Sequence, residues 1–451
     1  MGALAATAVR IRHDLHTRIL KARARTDELF QVVRAEAHYD RPIAERHRII
    51  FYLGHLEAFD WNLLSQRAFG LASFHRTFDQ LFSFGIDPIG NGLPTDAPED
   101  WPTLQEIQRY NKRVREELDH AIEQGLEHPE EGHPQLMQML HVAIEHRLMH
   151  AETFAYMLHC LPAIKKMGPP QKAVWKATRV KSHLVEIHAG HATLGLQHFN
   201  GRHDAEEELE FGWDNELAAH EVSIPQFAIE SHNVTNHDFL RFIQAEGYQN
   251  RALWTPEGWA WRTKENIKHP VFWRAEGNIW LYRTMFGEIR LPQEWPVYVS
   301  HAEATAYANW LGRKLPTEAQ FHRAAYGTPK GEEERLYPWG NEQPTERHGN
   351  FDFGSWDPSP VGAHPAGASA FGVYDLVGNG WEWTRTEFAP FPGFTPMPFY
   401  PGYSANFFDG RHYVVKGGSP RTASCILRRS FRNWFQPHYP YVYATFRCVE
   451  D

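Results

Sequence analysis

Two histidines four residues apart, with a glutamate two residues further on, are the side chains in this sequence best placed to do chemistry: His146, His150 and Glu152, in the order HRLMHAE. Positions four apart on an α-helix differ by about 40° around the axis, so both imidazoles project from one face and can share a divalent cation. The spacing alone is weak evidence, because 28 histidines in 451 residues give roughly two such pairs by chance. The setting adds weight. Met139, Leu140, Ile144, Leu148 and Phe154 make the surrounding helix apolar, and a bundle core is where facing helices assemble metal sites. A third imidazole comes from His55, embedded in FYLGHLE. A lone His55 reads equally well as a hydrogen-bonded core residue, but three such histidines on two apolar helices point to one shared purpose. Glu152 stands about 200° from His150 around the helix, which suits a supporting role rather than ligation. Three neutral imidazoles with open positions suit Fe(II), Zn(II) or Cu(II), and the residues themselves do not choose among these. Iron would leave room for substrate and O2, whereas zinc would favour hydrolysis through a bound water.

The elements that must carry these histidines are long helices. Residues 9–33, 44–69, 104–125 and 134–161 read as four amphipathic or apolar helices, the third capped by Thr103 with Glu106 in the capping-box position. Gly- and Pro-rich sequence separates the second from the third, and the set implies a four-helix bundle. Beyond residue 185 the texture changes to short β-like runs between Gly, Pro, Asn and Asp. Helices are expected there only at 236–246, 300–311 and 317–326. The fold class expected is therefore α+β and multidomain: a bundle over 1–163, a linker over 164–185, and an irregular domain over 186–451. The last would draw its core from the Trp and Tyr that crowd the second half.

Composition narrows the function classes. A chain of 451 residues exceeds one ordinary core, and 42% hydrophobic with 22% charged residues is a globular balance. A formal charge of −9 argues against nonspecific nucleic-acid binding. Cys160, Cys425 and Cys448 match no zinc pattern and no disulfide framework, which fits a reducing cytoplasm. Arg10, His13, Asp14 and Arg18 interrupt any secretory apolar segment, and no run approaches membrane-helix length. The sequence therefore predicts a cytoplasmic protein with small-molecule partners, no nucleic acid and no membrane, and it is compatible with a homo-oligomer.

Leu53-Gly54-His55 together with the HxxxHxE helix resembles the DinB-like domain of the sulfoxide synthases of ergothioneine biosynthesis. The second half resembles the formylglycine-generating-enzyme, or sulfatase-modifying, fold, which is C-type-lectin-like. That likeness is carried by FGWDNE (211–216), NVTN (233–236), RKLPTE (313–318), YPWGN (337–341), DLVGNGWEW (375–383), KGGS (416–419) and FRNW (431–434). The two resemblances cover nearly the whole chain, and their pairing is more specific than either alone. They imply Fe(2+), O2 and hercynine (Nα-trimethylhistidine) as cofactor and substrates, with a sulfur or selenium donor joined to the imidazole C2. Formylglycine chemistry is not implied, since Cys425 and Cys448 do not reproduce that enzyme's cysteine pair.

The resemblance also assigns roles. His55, His146 and His150 become the metal ligands. Asn433 and Trp434 fall at positions that contact hercynine, Trp434 offering a face to the quaternary ammonium. Tyr400 is the candidate proton donor, with Tyr403 beside it in the same Pro-rich loop; a phenol with the usual pKa of about 10 is an acid, not a base, at neutral pH. Trp381, Glu382 and Trp383 read as core. Two departures bear on the donor. Phe435 stands where relatives that use γ-glutamylcysteine carry Asp, and the loop Gly85–Leu93 lacks their arginines. Met149 occupies a position before the last histidine that is often Gln. Cysteine is therefore the expected donor, with a selenosugar, as in selenoneine synthase, the alternative. The competing classes are a zinc-dependent DinB-like hydrolase or thiol transferase, and a non-catalytic ligand-binding module.

Overall fold

The computed structural model describes residues 2–83, 85, 93–127, 135–168, 179–196, 211–331 and 333–451, with side chains from residue 14 onward. Residues 86–92 of the expected donor loop and 169–178 of the expected linker lie outside the described residues. The described residues form two compact units, 2–168 with 211 and 179–196 with 212–451.

The first unit is helical: α1 (Gly2–Gln31), α2 (Ile49–Leu64), α3 (Arg76–Leu81), α4 (Leu104–Glu127) and α5 (Leu136–Cys160). In α4, Ile107, Tyr110, Val114, Leu118 and Ile122 are buried at intervals of three or four, the stripe of a helix with one face on the core. By contrast α2 and α5 bury nearly their whole circumference. A helix that is apolar all round belongs in the centre, and α2 packs against α3, α4 and α5 while α1 lies on α4 and α5. The helix expected from residue 44 begins only at Ile49. Arg48 is held extended (φ −64°, ψ 156°), with its guanidinium on the Tyr39 carbonyl at 2.7 Å and on the Asp96 carboxylate at 2.9 Å. Local propensity yields there to a charged tether.

The second unit carries α6 (Asn236–Gln244), α7 (Pro256–Lys264), α8 (His301–Trp310) and α9 (Glu318–Tyr326) among short strands. Thr235, Thr255, Ser300 and Thr317 each cap one of these helices by accepting a backbone N–H. The strands are β1 (Leu184–Ile187), β2 (Gly190–Leu194), β3 (His220–Ile224), β4 (Phe227–Glu230), β5 (Trp273–Glu276), β6 (Ile279–Thr284), β7 (Gly287–Arg290), β8 (Gly380–Glu387), β9 (Tyr413–Gly418), β10 (Asn433–Phe435), β11 (Ala444–Thr445) and β12 (Val449–Glu450). They form four small sheets, ordered β1-β4-β12, β10-β9-β8-β11, β2-β3 and β5-β6-β7, antiparallel except where β11 joins β8. Long irregular loops connect them, as the sequence texture requires. Glu382 and Arg447, both with fully buried side chains, form a two-pronged ion pair at 2.7 Å, and Arg447 also donates to the carbonyls of Glu230 and Tyr374. Trp381 and Trp383 are buried beside it.

Candidate metal centre

His55 projects from the middle of α2 and His146 and His150 from one face of α5. All three are buried, at 4%, 4% and 7% exposure. Their ring nitrogens converge: His150 Nε2 lies 3.0 Å from His146 Nε2 and 3.2 Å from His55 Nε2. One ligand atom from each falls within 4.8 Å of the others, so the three could hold a metal ion. The surroundings fit a cation. The carbonyl of Phe82 can only accept, so the 2.8 Å contact from His55 Nδ1 requires a proton on Nδ1. In the neutral ring that leaves the Nε2 lone pair aimed at its neighbours, the usual arrangement behind a metal-bound histidine. Three lone pairs converging this closely repel one another unless a proton or a cation lies between them. A single Nε2–H on a neutral ring bridges one of the two contacts at most, and burial disfavours a second proton on any ring. Burial pulls His55 down to about 4, and burial together with the neighbouring imidazoles holds His146 and His150 well below the usual histidine range. The donors are thus neutral imidazoles at physiological pH, the form a metal needs.

Ring packing fixes their orientation. Phe59 stacks on His146 at 3.4 Å and 11°, and Phe51 on His55 at 4.9 Å and 23°. Gly54 explains why the Phe82 carbonyl can reach His55: a Cβ there would sit 2.5 Å from the Phe82 ring. Met149 is half-buried on α5 just before His150, and Glu152 is buried one turn-half beyond it.

The remaining expected site residues belong to the second unit. Trp434 on β10 stacks on Phe388 at 4.2 Å and 8°, which covers one of its faces, and Phe407 is tilted against the ring at 5.4 Å. Tyr403 meets Trp434 edge-on at 5.4 Å and stacks on Trp213 at 3.9 Å, with Tyr400 5.8 Å from Tyr403. The structure thus gathers Trp434, Tyr403 and Tyr400 into one cluster. The Asn433 side-chain oxygen accepts from the Trp434 N–H at 2.9 Å. Phe435 is not in that cluster. Its ring contacts are Trp383 and Tyr439, as strand alternation beside Trp434 requires. Asp214 was not foreseen from sequence. Its buried carboxylate accepts from Ser404 Oγ at 2.6 Å and Met397 N at 3.3 Å, anchoring the loop that carries both tyrosines. Equally unforeseen is a buried ion network behind the triad, built from Glu57, Asp60 and Arg147; its signal was three charges inside otherwise apolar helices.

Residues 171–451 match the Sulfatase-modifying factor enzyme 1-like domain, and residues 18–154 match the DinB superfamily. The architecture is therefore a DinB-like helical unit joined to a sulfatase-modifying-factor-like domain. A hercynine oxygenase of Mycobacterium tuberculosis is 42% identical over 240 residues, covering 53% of this chain and 56% of that protein. One of Mycolicibacterium smegmatis is 37% identical over 318 residues, 69% and 71% of the two chains. The ergothioneine biosynthesis protein 1 of Neurospora crassa is 27% identical over 501 aligned positions, 93% of this chain and 56% of that one. The chain belongs to the ergothioneine sulfoxide synthase family. It spans about half the length of the Mycobacterium tuberculosis and Neurospora crassa relatives it matches.

Proposed function

We propose that this chain is an iron(II)- and O2-dependent oxygenase that joins the sulfur of cysteine to C2 of the hercynine imidazole and oxidises that sulfur to the sulfoxide. The carrying observation is the convergence of three buried, neutral imidazole nitrogens with the His55 tautomer set by Phe82. Nitrogens about 2.1 Å from a metal stand ~3.0 Å apart at right angles and ~3.4 Å apart in a tetrahedron. The observed separations of 3.0 and 3.2 Å fall within the range spanned by ligands of one metal ion. The reaction balances: the thiol S–H and the imidazole C2–H bonds break, the C–S bond forms, one oxygen atom of O2 enters the sulfoxide and the other leaves as water with both hydrogens. Bound Fe(II) would supply the redox chemistry that lets O2 react. The chain's own residues supply the rest. On this reading Trp434 would attract the trimethylammonium of hercynine, with Asn433 beside it, and the Tyr400 phenol would serve as proton donor.

A selenosugar donor is the second reading. Its support is the Phe435–Tyr439–Tyr441 series, with Phe435 and Tyr439 near-parallel at 13° and Tyr439 and Tyr441 edge-to-face at 5.2 Å, surfaces of a kind that stack on sugar rings. Protein loaded anaerobically with Fe(II) and given hercynine and O2, with cysteine, γ-glutamylcysteine or a selenosugar at equal concentration, tests both. O2 uptake and a sulfoxide of the expected mass with cysteine support the first reading. A selenium-containing product moves the assignment to the second. Zinc in the protein as purified, with no O2 uptake from any donor, overturns both.

A further inference from the structure

Behind the three histidines, on the opposite face of α2, lies an ion network that hydrophobic packing does not require. Arg147, 2% exposed, follows His146 directly, and Glu57, 1% exposed, stands two residues and about 200° of helix away from His55. The Arg147 guanidinium grips α2 at three places. Nη1 and Nη2 donate to the two Glu57 oxygens at 3.0 and 2.9 Å, Nη2 donates to Asp60 Oδ2 at 2.7 Å, and Nη2 also reaches the Leu56 carbonyl at 3.0 Å. Nη1 further donates to Thr26 Oγ1 of α1 at 3.3 Å. On its other side Glu57 accepts from Arg115 of α4 at 2.6 Å, and Arg115 forks onto Asp27 of α1 with two bonds of 2.8 Å. All four long helices are tied through one carboxylate. Burial pushes Glu57 up, but Arg147 and Arg115 outweigh it and hold the carboxyl at about 2.

Taking such charges out of water costs several kcal/mol per ion, and apolar replacements of similar volume are often neutral or stabilising. A buried network of this kind is thus poor evidence for stability, and its best-attested use is to fix register. Register is what this site needs. One residue of slip between α2 and α5 moves His55 by about 1.5 Å along the axis, whereas ligand positions must hold to within about 0.5 Å. Smooth apolar faces on two fully buried helices do not resist such a slide as strongly as a forked guanidinium bonded to acceptors at residues 56, 57 and 60, about one turn of α2.

We infer that Arg147 and Glu57 are positioning residues, a clamp that sets the register of α2 against α5 so that His55 meets His146 and His150 in a preformed metal site. This rests on the reading of the triad as a metal centre.

The test uses Co(II) as the probe, read by its d–d absorption and by anaerobic titration, with thermal unfolding measured on the same samples. Two variants are compared with the wild type. Arg147→Lys keeps the charge but loses the fork, and the triple variant Glu57→Gln/Asp60→Asn/Arg147→Met removes all three buried charges. The clamp predicts Co(II) affinity at least about tenfold weaker and an altered absorption band in either variant that folds, with a melting temperature close to the wild type's in the triple variant. Wild-type affinity and band in a folded variant overturn the clamp alone. Failure of both variants to fold also overturns it, since the network would then serve folding itself. A wild type that takes up no Co(II) overturns the metal-centre reading, and the clamp with it.

Discussion

The imidazole Nδ1 of His55 and the carbonyl oxygen of Phe82 are 2.8 Å apart, joining the centre of α2 to the residue that ends α3. This bond decides which His55 nitrogen is available as a donor, and Gly54 permits it. Placing a methyl at Gly54 drives a carbon to 2.5 Å from the Phe82 ring. Gly54→Ala therefore destabilises by about 1–2 kcal/mol despite the better helix propensity of Ala, because forced overpacking outweighs it. It also weakens metal affinity about tenfold by loosening the carbonyl behind His55. Thermal unfolding and metal titration of the variant check both numbers; a more stable protein with unchanged affinity refutes the argument.

Each of His55→Ala, His146→Ala and His150→Ala is expected to abolish tight iron binding, while Glu152→Gln retains most of it. The distinction follows from geometry, since among the described residues the three imidazoles are the group that converges. Metal content after anaerobic loading and gel filtration decides residue by residue. Stoichiometric iron in any one histidine variant removes that residue from the set.

On the second unit, Asn433→Ala and Trp434→Ala are each expected to weaken hercynine binding by about 1–3 kcal/mol without changing iron content. Calorimetry with hercynine on iron-loaded protein reads this directly, and wild-type affinity in both variants speaks against the assignment.

Acid stability offers a test far from the triad in sequence. Burial pulls His301 down to about 3, outweighing its donated bond to the Thr384 carbonyl, and burial pulls His232 down to about 4. Both fold neutral and become charged when the chain unfolds below about 6.5. Their contribution to stability is therefore complete above pH 6.5 and is lost as pH falls toward 4 and 3. The slope is about 1.4 kcal/mol per pH unit for each histidine. Urea midpoints at pH 7.5, 6 and 5 should fall accordingly, and His301→Gln should make the fall shallower. Parallel curves for variant and wild type contradict this.

Much of the architecture is legible in the sequence, for physical reasons that differ by element. Long helices announce themselves by periodicity, and α8 and α9 also by capping residues, Ser300 with Glu303 and Thr317 with Gln320. The convergence of His55 with His146 and His150 is foreshadowed by polar rings inside apolar helices. The six residues of α3 are too few for a period to emerge. The helix α7 carries a readable signal in Thr255-Pro256, a cap followed by Pro at the first position, but its apolar pattern is weak. The Arg147 network is only half legible, since charges inside apolar helices flag its members but no pattern pairs residues about 90 positions apart. The start of α2 is set by Asp96, 48 residues beyond Arg48, which no local rule could anticipate.

The pairing of β12 with β4 has a consequence for the order in which the second unit can be made. Cys448 donates to Glu230 across 218 residues, Val449 registers with Ile229, and Arg447 closes on Glu382 with no exposure to water. The strands that emerge early from the ribosome thus lack the edge strands that flank β4 and β8 until residues 444–450 have been added. At about 5–20 residues per second, the interval is on the order of ten seconds or more. During it the edge of β4 and the carboxylate of Glu382 are left without the chain that covers them. Closure of this unit is a late event, and a ribosome paused before residue 444 would hold out an open sheet edge of the kind chaperones protect.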